Sequence, residues 1–487
     1  MLPETRLSPL DAAFLAVESP TAHMHVGWAA TFRPPQGRSA PTFEELRDHI
    51  GARLSRAPRY RQRLKRVPFG ISPPYWVDDE GFELARHVVP AASDDLGEAV
   101  EASMSEPLPK DRPLWQISVA ERLHDRRIGI VGKAHHSMVD GIAAVELASL
   151  LLDPGANPDP PAADPWHPRP EPTGAELLIR ASVARTWERL RFAAGAVEAL
   201  SSTKRLARLA GGAGSAARAL ADAARPARTS TALNAPNSPR RHLGTVARPL
   251  AELKLIKTAF GTTINDVLLA ACAGAARRHL EARGEEVRPL KAMVPVDMRA
   301  AEGGPGVGNR ISFMFCDLPC DLGDPAARLH AIREQTASRK RAEQPSGGDA
   351  LLRLVSQVAY PLHRLASRVV ASPRAFNLVV SNIPGPPEPM YMCGCRLDEA
   401  YPVVPLADHH ALSIGMATIG GGAFFGLYAD RETLPDIDRM ATALDVELDA
   451  LLVEAAARRA PAVGNRVRKP GRRAPRHVAP PAAVGAG

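Results

Sequence analysis

The chain has 487 residues, of which 45% are hydrophobic and 23% charged, with five cysteines and a formal net charge of +8. That length allows two or three domains whose cores need no covalent staples, and five cysteines at irregular spacing do not form a disulfide framework. The charge does not argue for nucleic acid: Arg458 onward carries eight basic and no acidic residues, which accounts for the whole excess, and that tail has no aromatic side chain on which a base could stack. Its Pro/Ala/Gly/Arg composition predicts a disordered terminus, residues 458–487. The N-terminus lacks a basic segment followed by an apolar run, so no signal peptide is expected. No stretch reaches the roughly 18 apolar residues of a membrane span. The expected location is cytoplasmic, with attachment to a membrane or lipid-droplet surface as the alternative to a free protein. Cys393-Gly394-Cys395 has no second Cys/His pair beside it, so no metal site is expected.

In chain order, Thr42-Phe43-Glu44-Glu45 reads as a capping box, with Phe43, Leu46, Ile50 and Leu54 on one helical face behind it. Trp115, Ile117 and Val119 alternate as on a half-buried strand. A polar turn, His124 to Arg127, leads into Ile128, Ile130 and Gly132, which alternate toward His135. Residues 1–152 are thus a first domain of short strands and helices. Residues 153–173 contain eight prolines and read as a linker or extended crossover rather than a packed element. Ala/Arg-rich helices follow, completing a connector over 153–239. The second domain, 240–457, starts near Arg240. It holds a buried helix from Ile264 to Arg278, strands at Ala292 to Val296 and Asn377 to Val380, a hairpin from Ala411 to Tyr428, and a last helix from Asp436 to Leu452.

The chemistry concentrates at His135-His136-Ser137-Met138-Val139-Asp140-Gly141, between the strand ending at Ala134 and an apolar helix expected from Ile142 to Leu152. An imidazole with an ordinary pKa of about 6.5 suits the removal of a proton from an alcohol and its return to a thiolate. Asp140 could orient a ring, fix the turn, or simply cap the following helix. Gly141 lets the backbone bend. No G-x-S-x-G and no H-E-x-x-H occurs, which leaves serine-hydrolase and metalloprotease chemistry without an anchor. Asp408-His409-His410 repeats the paired histidines without the Asp-Gly that should follow, and reads as structural. Gly303 to Gly308 resembles a phosphate loop but leads into an apolar run rather than a helix.

The heptad matches the HHxxxDG signature of acyltransferases related to chloramphenicol acetyltransferase and to peptide-synthetase condensation domains. Further segments, in order along the chain, resemble the bacterial wax ester synthase/diacylglycerol acyltransferase family. They are Leu7-Ser8-Pro9-Leu10-Asp11-Ala12-Ala13-Phe14 with Met24-His25-Val26-Gly27, Pro113-Leu114-Trp115, Thr263-Ile264-Asn265-Asp266-Val267, Val294 to Arg299, Gly308-Asn309-Arg310, and Ser381 to Pro386. The similarity spans about residues 5 to 455.

The resemblance implies a mixed α/β (α+β) fold: two chloramphenicol acetyltransferase-like domains forming a pseudo-dimer with a tunnel between them. It makes His136 the general base, Asp140 a structural or orienting residue with Arg299 as partner, and His135 and Gly141 the shapers of the turn. Pro113, Leu114 and Trp115 are then linked to substrate binding, and Asn265 and Asp266 to activity. Acyl transfer also needs donors to a developing oxyanion, for which Asn265, Asn382 and backbone N–H groups are the candidates. The implied reaction moves a fatty acyl group from acyl-CoA, a co-substrate rather than a cofactor, to diacylglycerol, or to a long-chain fatty alcohol to form a wax ester. The alternatives are a condensation or polyketide-associated enzyme using a carrier-bound acyl group, and a non-catalytic acyl-lipid-binding protein.

Overall fold

Helix starts follow local chemistry. In α1 (Pro9–Val17) the Ser8 hydroxyl caps the Asp11 N–H, and Pro9 occupies the first turn, where its missing N–H is no loss. α2 (Phe43–Arg53) opens with the expected capping box between Thr42 and Glu45, and Leu46 and Ile50 are fully buried below it. The computed structural model describes residues 6–37, 39–138, 151–158, 166–200, 226–297, 311–341, 367–368 and 371–459. Asp140, Gly141, Arg299, the Gly303 to Gly308 loop and the tail from 460 lie outside the described residues, as do most of the expected helix Ile142 to Leu152 and the connector over 201–225.

The first half builds β1 (His25–Arg33), β2 (Gln62–Lys65), β3 (Tyr75–Asp78), β4 (Val88–Pro90), α3 (Leu96–Ser105), β5 (Trp115–Ala120) and β6 (Ile128–His135). β2 and β3 pair as a small ribbon. The others enter a six-stranded sheet of order β11-β12-β1-β6-β5-β4, in which β11 (Tyr391–Met392) and β12 (Cys395–Val403) come from far along the chain. The expected second domain, 240–457, therefore lends two strands to the first. β12 pairs antiparallel with β1 from Gly27↔Val403 to Arg33↔Arg396, and sequence spacing carries no record of such a long-range pairing.

The second sheet runs β7-β14-β13-β10-β8-β9. Its strands are β7 (Arg241–Pro249), β8 (Leu290–Asp297), β9 (Ile311–Leu318), β10 (Leu378–Pro384), β13 (Leu412–Ile419) and β14 (Gly422–Asp430), of which β13 and β14 form the expected hairpin. α4 (Gly174–Leu200) connects the halves. α5 (Leu250–Phe260), α6 (Ile264–Ala282), α7 (Pro325–Arg341) and α8 (Ile437–Arg459) complete the second half. α6 is the predicted buried helix: every residue from Asp266 to Ala276 is buried, in one cluster with Leu329, Leu412, Phe425 and Leu444. Among the described residues no single helix is long and apolar enough to cross a membrane. α5 and α6 together have the length and composition, but they meet at a 98° bend and line this core.

β12 is also the hinge between the sheets. A Cβ on Gly426 would collide with the Pro402 carbonyl, and one on Gly415 with the Pro402 ring, so glycine lets a strand of one sheet lie directly on two strands of the other. Around this contact Ala29 and Val131 of the first half join Leu243, Tyr401, Phe424 and Tyr428 in a shared apolar cluster.

Four expectations need correction. β6 is buried on both faces, not one, because α3 and the second half cover the side that alternation left open. The Pro-rich segment is packed in part: Asp153 is buried against Arg53 at 2.6 Å, Arg169 pairs with Asp78 at 2.9 Å, and Trp166 takes the Arg61 guanidinium over its ring. Prolines need no ladder of hydrogen bonds, so side-chain pairs can hold an extended segment down. β10 runs on through Ser381-Asn382-Ile383-Pro384, where turn residues predicted its end, because parallel pairing with β13 continues to Pro384↔Thr418. The last helix extends to Arg459, and Arg458 sits over the Phe260 ring at 4.0 Å, so the tail begins later than expected.

Candidate active site

β6 delivers both histidines to one end of the first sheet, where the chain turns. The Met138 N–H bonds back to the His135 carbonyl (2.8 Å), closing a tight turn over 135–138. His135 ends the strand, with its N–H on the Leu114 carbonyl (2.9 Å), while the His136 N–H donates to the Met24 carbonyl (2.9 Å). Met24 holds a left-handed backbone (φ 51°), a conformation that non-glycine residues keep where the surroundings impose it. Arg241, from the second half, donates to the Thr21 carbonyl and to the buried Asp430 carboxylate, which fastens the segment leading to Met24.

The two rings meet different environments. His135 is buried. Its Nδ1 accepts the Ser137 N–H (3.0 Å) and lies 2.7 Å from the Ser137 hydroxyl, so its ring proton sits on Nε2, 3.9 Å from a Glu18 carboxylate oxygen. Burial, with His136 and Lys110 nearby, pushes its pKa down to about 3, and the ring is neutral at ordinary pH. His136 is only half-buried. Its ring stacks on Phe14 with centroids 3.6 Å apart and planes 13° off parallel, and α1, which carries Phe14, thereby sets the plane of the imidazole. Of the pair, His136 is the less buried, although its Nδ1 is itself shielded from solvent.

Behind them lies a buried basic layer. Lys133, two residues before His135, donates to the Ser103 and Glu106 carbonyls, and burial lowers its ammonium to about 8. His25 faces His135 across the β1–β6 pairing, and burial together with Lys133 holds it well below the ordinary histidine value. Lys110 and Glu18 pair at 2.5 Å beside His135, at one end of a cavity of about 380 Å³. A smaller apolar slot, about 60 Å³, lies where Gly27 and Trp28 of the first sheet meet Ile383 and Ala417 of the second.

The other expected site residues divide. Pro113 and Leu114 are buried beside the turn, and the Leu114 carbonyl holds the His135 N–H. Trp115, expected to bind substrate, is core instead: its indole N–H donates to the Tyr60 carbonyl (2.7 Å), and its ring stacks on His87. On a strand the next residue points to the opposite face, and here that face is the domain interior. Asp266 takes a structural position too. Its carboxylate accepts the Thr263 N–H (2.8 Å) in a capping box and the Thr336 hydroxyl (2.8 Å), joining α6 to α7. Asn265 stands half-buried in the first turn of α6, and Asn382 half-buried on β10. Both belong to the second half, on elements separate from the turn that carries His136. Phe14, Glu18 and Lys110 were given no role on sequence grounds. Phe14 lay within a quoted motif, but only the tertiary stack marks it.

Residues 7–268 match the family model for the wax ester synthase/diacylglycerol acyltransferase catalytic domain, and residues 307–452 that for the WS/DGAT C-terminal domain. A Mycobacterium tuberculosis protein named "Probable diacyglycerol O-acyltransferase tgs2" is 32% identical over 462 residues, covering 91% of this chain and 98% of that protein. The solved wax ester synthase/diacylglycerol acyltransferase from Marinobacter aquaeolei VT8 is 27% identical, with a TM-score of 0.64 over 93% of this chain and all of that one. The first condensation domain of the calcium-dependent antibiotic synthetase, 15% identical with a TM-score of 0.57 and covering 93% of this chain and 96% of that one, shares the fold. The chain belongs to the wax ester synthase/diacylglycerol acyltransferase family.

Proposed function

We propose that this protein transfers a fatty acyl group from acyl-CoA to the hydroxyl of diacylglycerol, forming triacylglycerol, and that it also accepts long-chain alcohols to form wax esters. Acyl-CoA serves as co-substrate, and the chemistry calls on no cofactor. The observation that carries the reading is the asymmetry of the histidine pair. His135 is buried, with Nδ1 engaged in its own turn, whereas His136 is half-buried and held flat on Phe14. Names of relatives such as tgs2 support diacylglycerol as acceptor.

In the reaction His136 takes the proton of the acceptor hydroxyl as its oxygen attacks the thioester carbonyl carbon. The tetrahedral intermediate collapses with cleavage of the C–S bond, and the protonated imidazole returns the proton to the leaving thiolate. General-base assistance of this kind contributes about 10²–10⁴-fold. Donors to the developing oxyanion are worth about 3 kcal/mol each; Asn265 and Asn382 are the side chains proposed for that task. Asp140, paired with Arg299, is proposed to hold the turn. The test is transfer of labelled palmitoyl from palmitoyl-CoA to diacylglycerol and to hexadecanol, with wild type and His136→Ala compared. A protein inactive on both acceptors would refute the reading, as would a His136→Ala variant keeping more than about half of the wild-type rate.

A further inference from the structure

α4 packs on the 67–72 loop, and that loop walls the cavity beside the histidine pair. Leu177 and Ala181 pack fully buried against Val67 and Tyr75. The opposite side of the helix carries Ile179, Val183, Trp187 and Leu190, which are 65%, 51%, 60% and 55% exposed. Their spacing places all four on one stripe, and the exposed Arg180 stands at its edge. Phe69, on the 67–72 loop beneath α4, is 91% exposed and holds a left-handed backbone (φ 61°). Five large apolar side chains presented to solvent are an uncommon feature for a protein that stays in water.

The 67–72 loop also walls the 380 Å³ cavity. Phe69 and Val67 stand at its loop side, while Leu114 and Glu18 stand beside His135. Ser72 lines it as well; it is buried, and its hydroxyl has no hydrogen-bond partner among the described residues. A buried hydroxyl without a partner is unfavourable, and a ligand oxygen in the cavity would satisfy it.

We infer that α4 and the 67–72 loop form a lipid-contact face, and that the cavity behind Phe69 passes the polar end of a lipid alcohol from that surface toward His136. The destination rests on the acyl-transfer reading; the lipid contact does not. A lipid surface is the occupant that the chemistry favours. The stripe is a single helix face with an interfacial Trp and a flanking Arg, the pattern of a helix lying in a headgroup layer. The loop on which α4 packs lines the cavity through Val67, Phe69 and Ser72.

The test uses the full chain and phosphatidylcholine vesicles containing diacylglycerol, with Ile179→Glu/Trp187→Glu and Phe69→Glu as variants. Vesicle binding by co-sedimentation should fall about tenfold or more in the double variant, since two large apolar side chains would be replaced by charges at the lipid contact. In the double variant, transfer to vesicle-borne diacylglycerol should fall in parallel, while transfer to hexanol in solution and the melting temperature stay at wild-type values; Phe69→Glu, in the cavity wall, should lower vesicle binding and transfer to both alcohols. Ser72→Ala should raise KM for the glyceride and leave vesicle binding alone. Unchanged vesicle binding in the double variant overturns the lipid face. So does a lowered melting temperature or a change of oligomeric state, since the stripe would then be covered by the chain itself or by a second copy. An unchanged KM in Ser72→Ala overturns the route through the cavity. If the wild type acylates neither alcohol, the acyl-transfer reading fails, and vesicle binding still decides the lipid face.

Discussion

His135-His136 closes β6 of the first sheet, and His409-His410 precedes β13 of the second. The dipeptides are identical, but their surroundings are not. His410 is buried with Nδ1 2.9 Å from the Asp408 carbonyl and Nε2 3.1 Å from the Phe376 carbonyl, and its ring stacks on Phe376 at 4.2 Å. Both partners are acceptors, so the neutral ring donates from one nitrogen only, and the other is closed off against backbone. His136 is only half-buried, and the plane of its ring is set by Phe14. A histidine acts as a base only when one nitrogen can reach the substrate proton, so the difference lies in what each ring touches, not in the residue pair.

The largest effect should come from His136→Ala, which is expected to lower transfer by about 10²–10⁴-fold while the melting temperature holds. His410→Ala should do the reverse. It leaves a buried carbonyl short of its donor and opens a gap beside Phe376, costing about 1–3 kcal/mol of stability, while activity per folded molecule stays near wild type. Thermal melts and single-turnover rates on both variants would break the comparison if the two losses came out alike.

Phe14→Ala tests what sets the His136 ring. A stacked aromatic pair is worth about 0.5–1.5 kcal/mol, so kcat should fall up to about tenfold, with KM for acyl-CoA changing less. Phe14→Tyr keeps the stack and should restore the rate; equal losses in both variants would show that the platform is not what matters.

A smaller effect concerns pH. Burial holds His135 at about 3 and His410 at about 4, below the ordinary 6.5, so both rings are neutral in the folded protein. Between those values and about 6.5 the unfolded chain binds more protons than the folded one. Stability should therefore be fully present above about 6.5 and decline as pH falls toward 4. His410→Gln removes one such group, and its melting temperature should fall less steeply than that of wild type between pH 7 and 5. Parallel curves would mean that His410 is not buried neutral.

Much of this protein was legible in its residues. The Thr42 capping box, the hairpin of β13 and β14 and the buried α6 follow from local rules of capping, alternation and apolar runs, and they fall where expected. The histidine heptad stood out because its residue types suit proton transfer and because ordered motifs along the chain resemble one family. Local rules failed where neighbours far along the chain decide the outcome. Nothing in Cys395 to Val403 says that it will pair with β1 of the other half, and nothing in Trp115 says that its indole will face Tyr60 rather than a substrate. Asp266 reads equally well as a functional carboxylate or a helix cap until Thr336 is brought to it by α7. Residue type and spacing determine which chemistry is available to this chain. Burial and contact decide which histidine can use it, because access to a ring nitrogen is a property of the packed neighbours and not of the dipeptide.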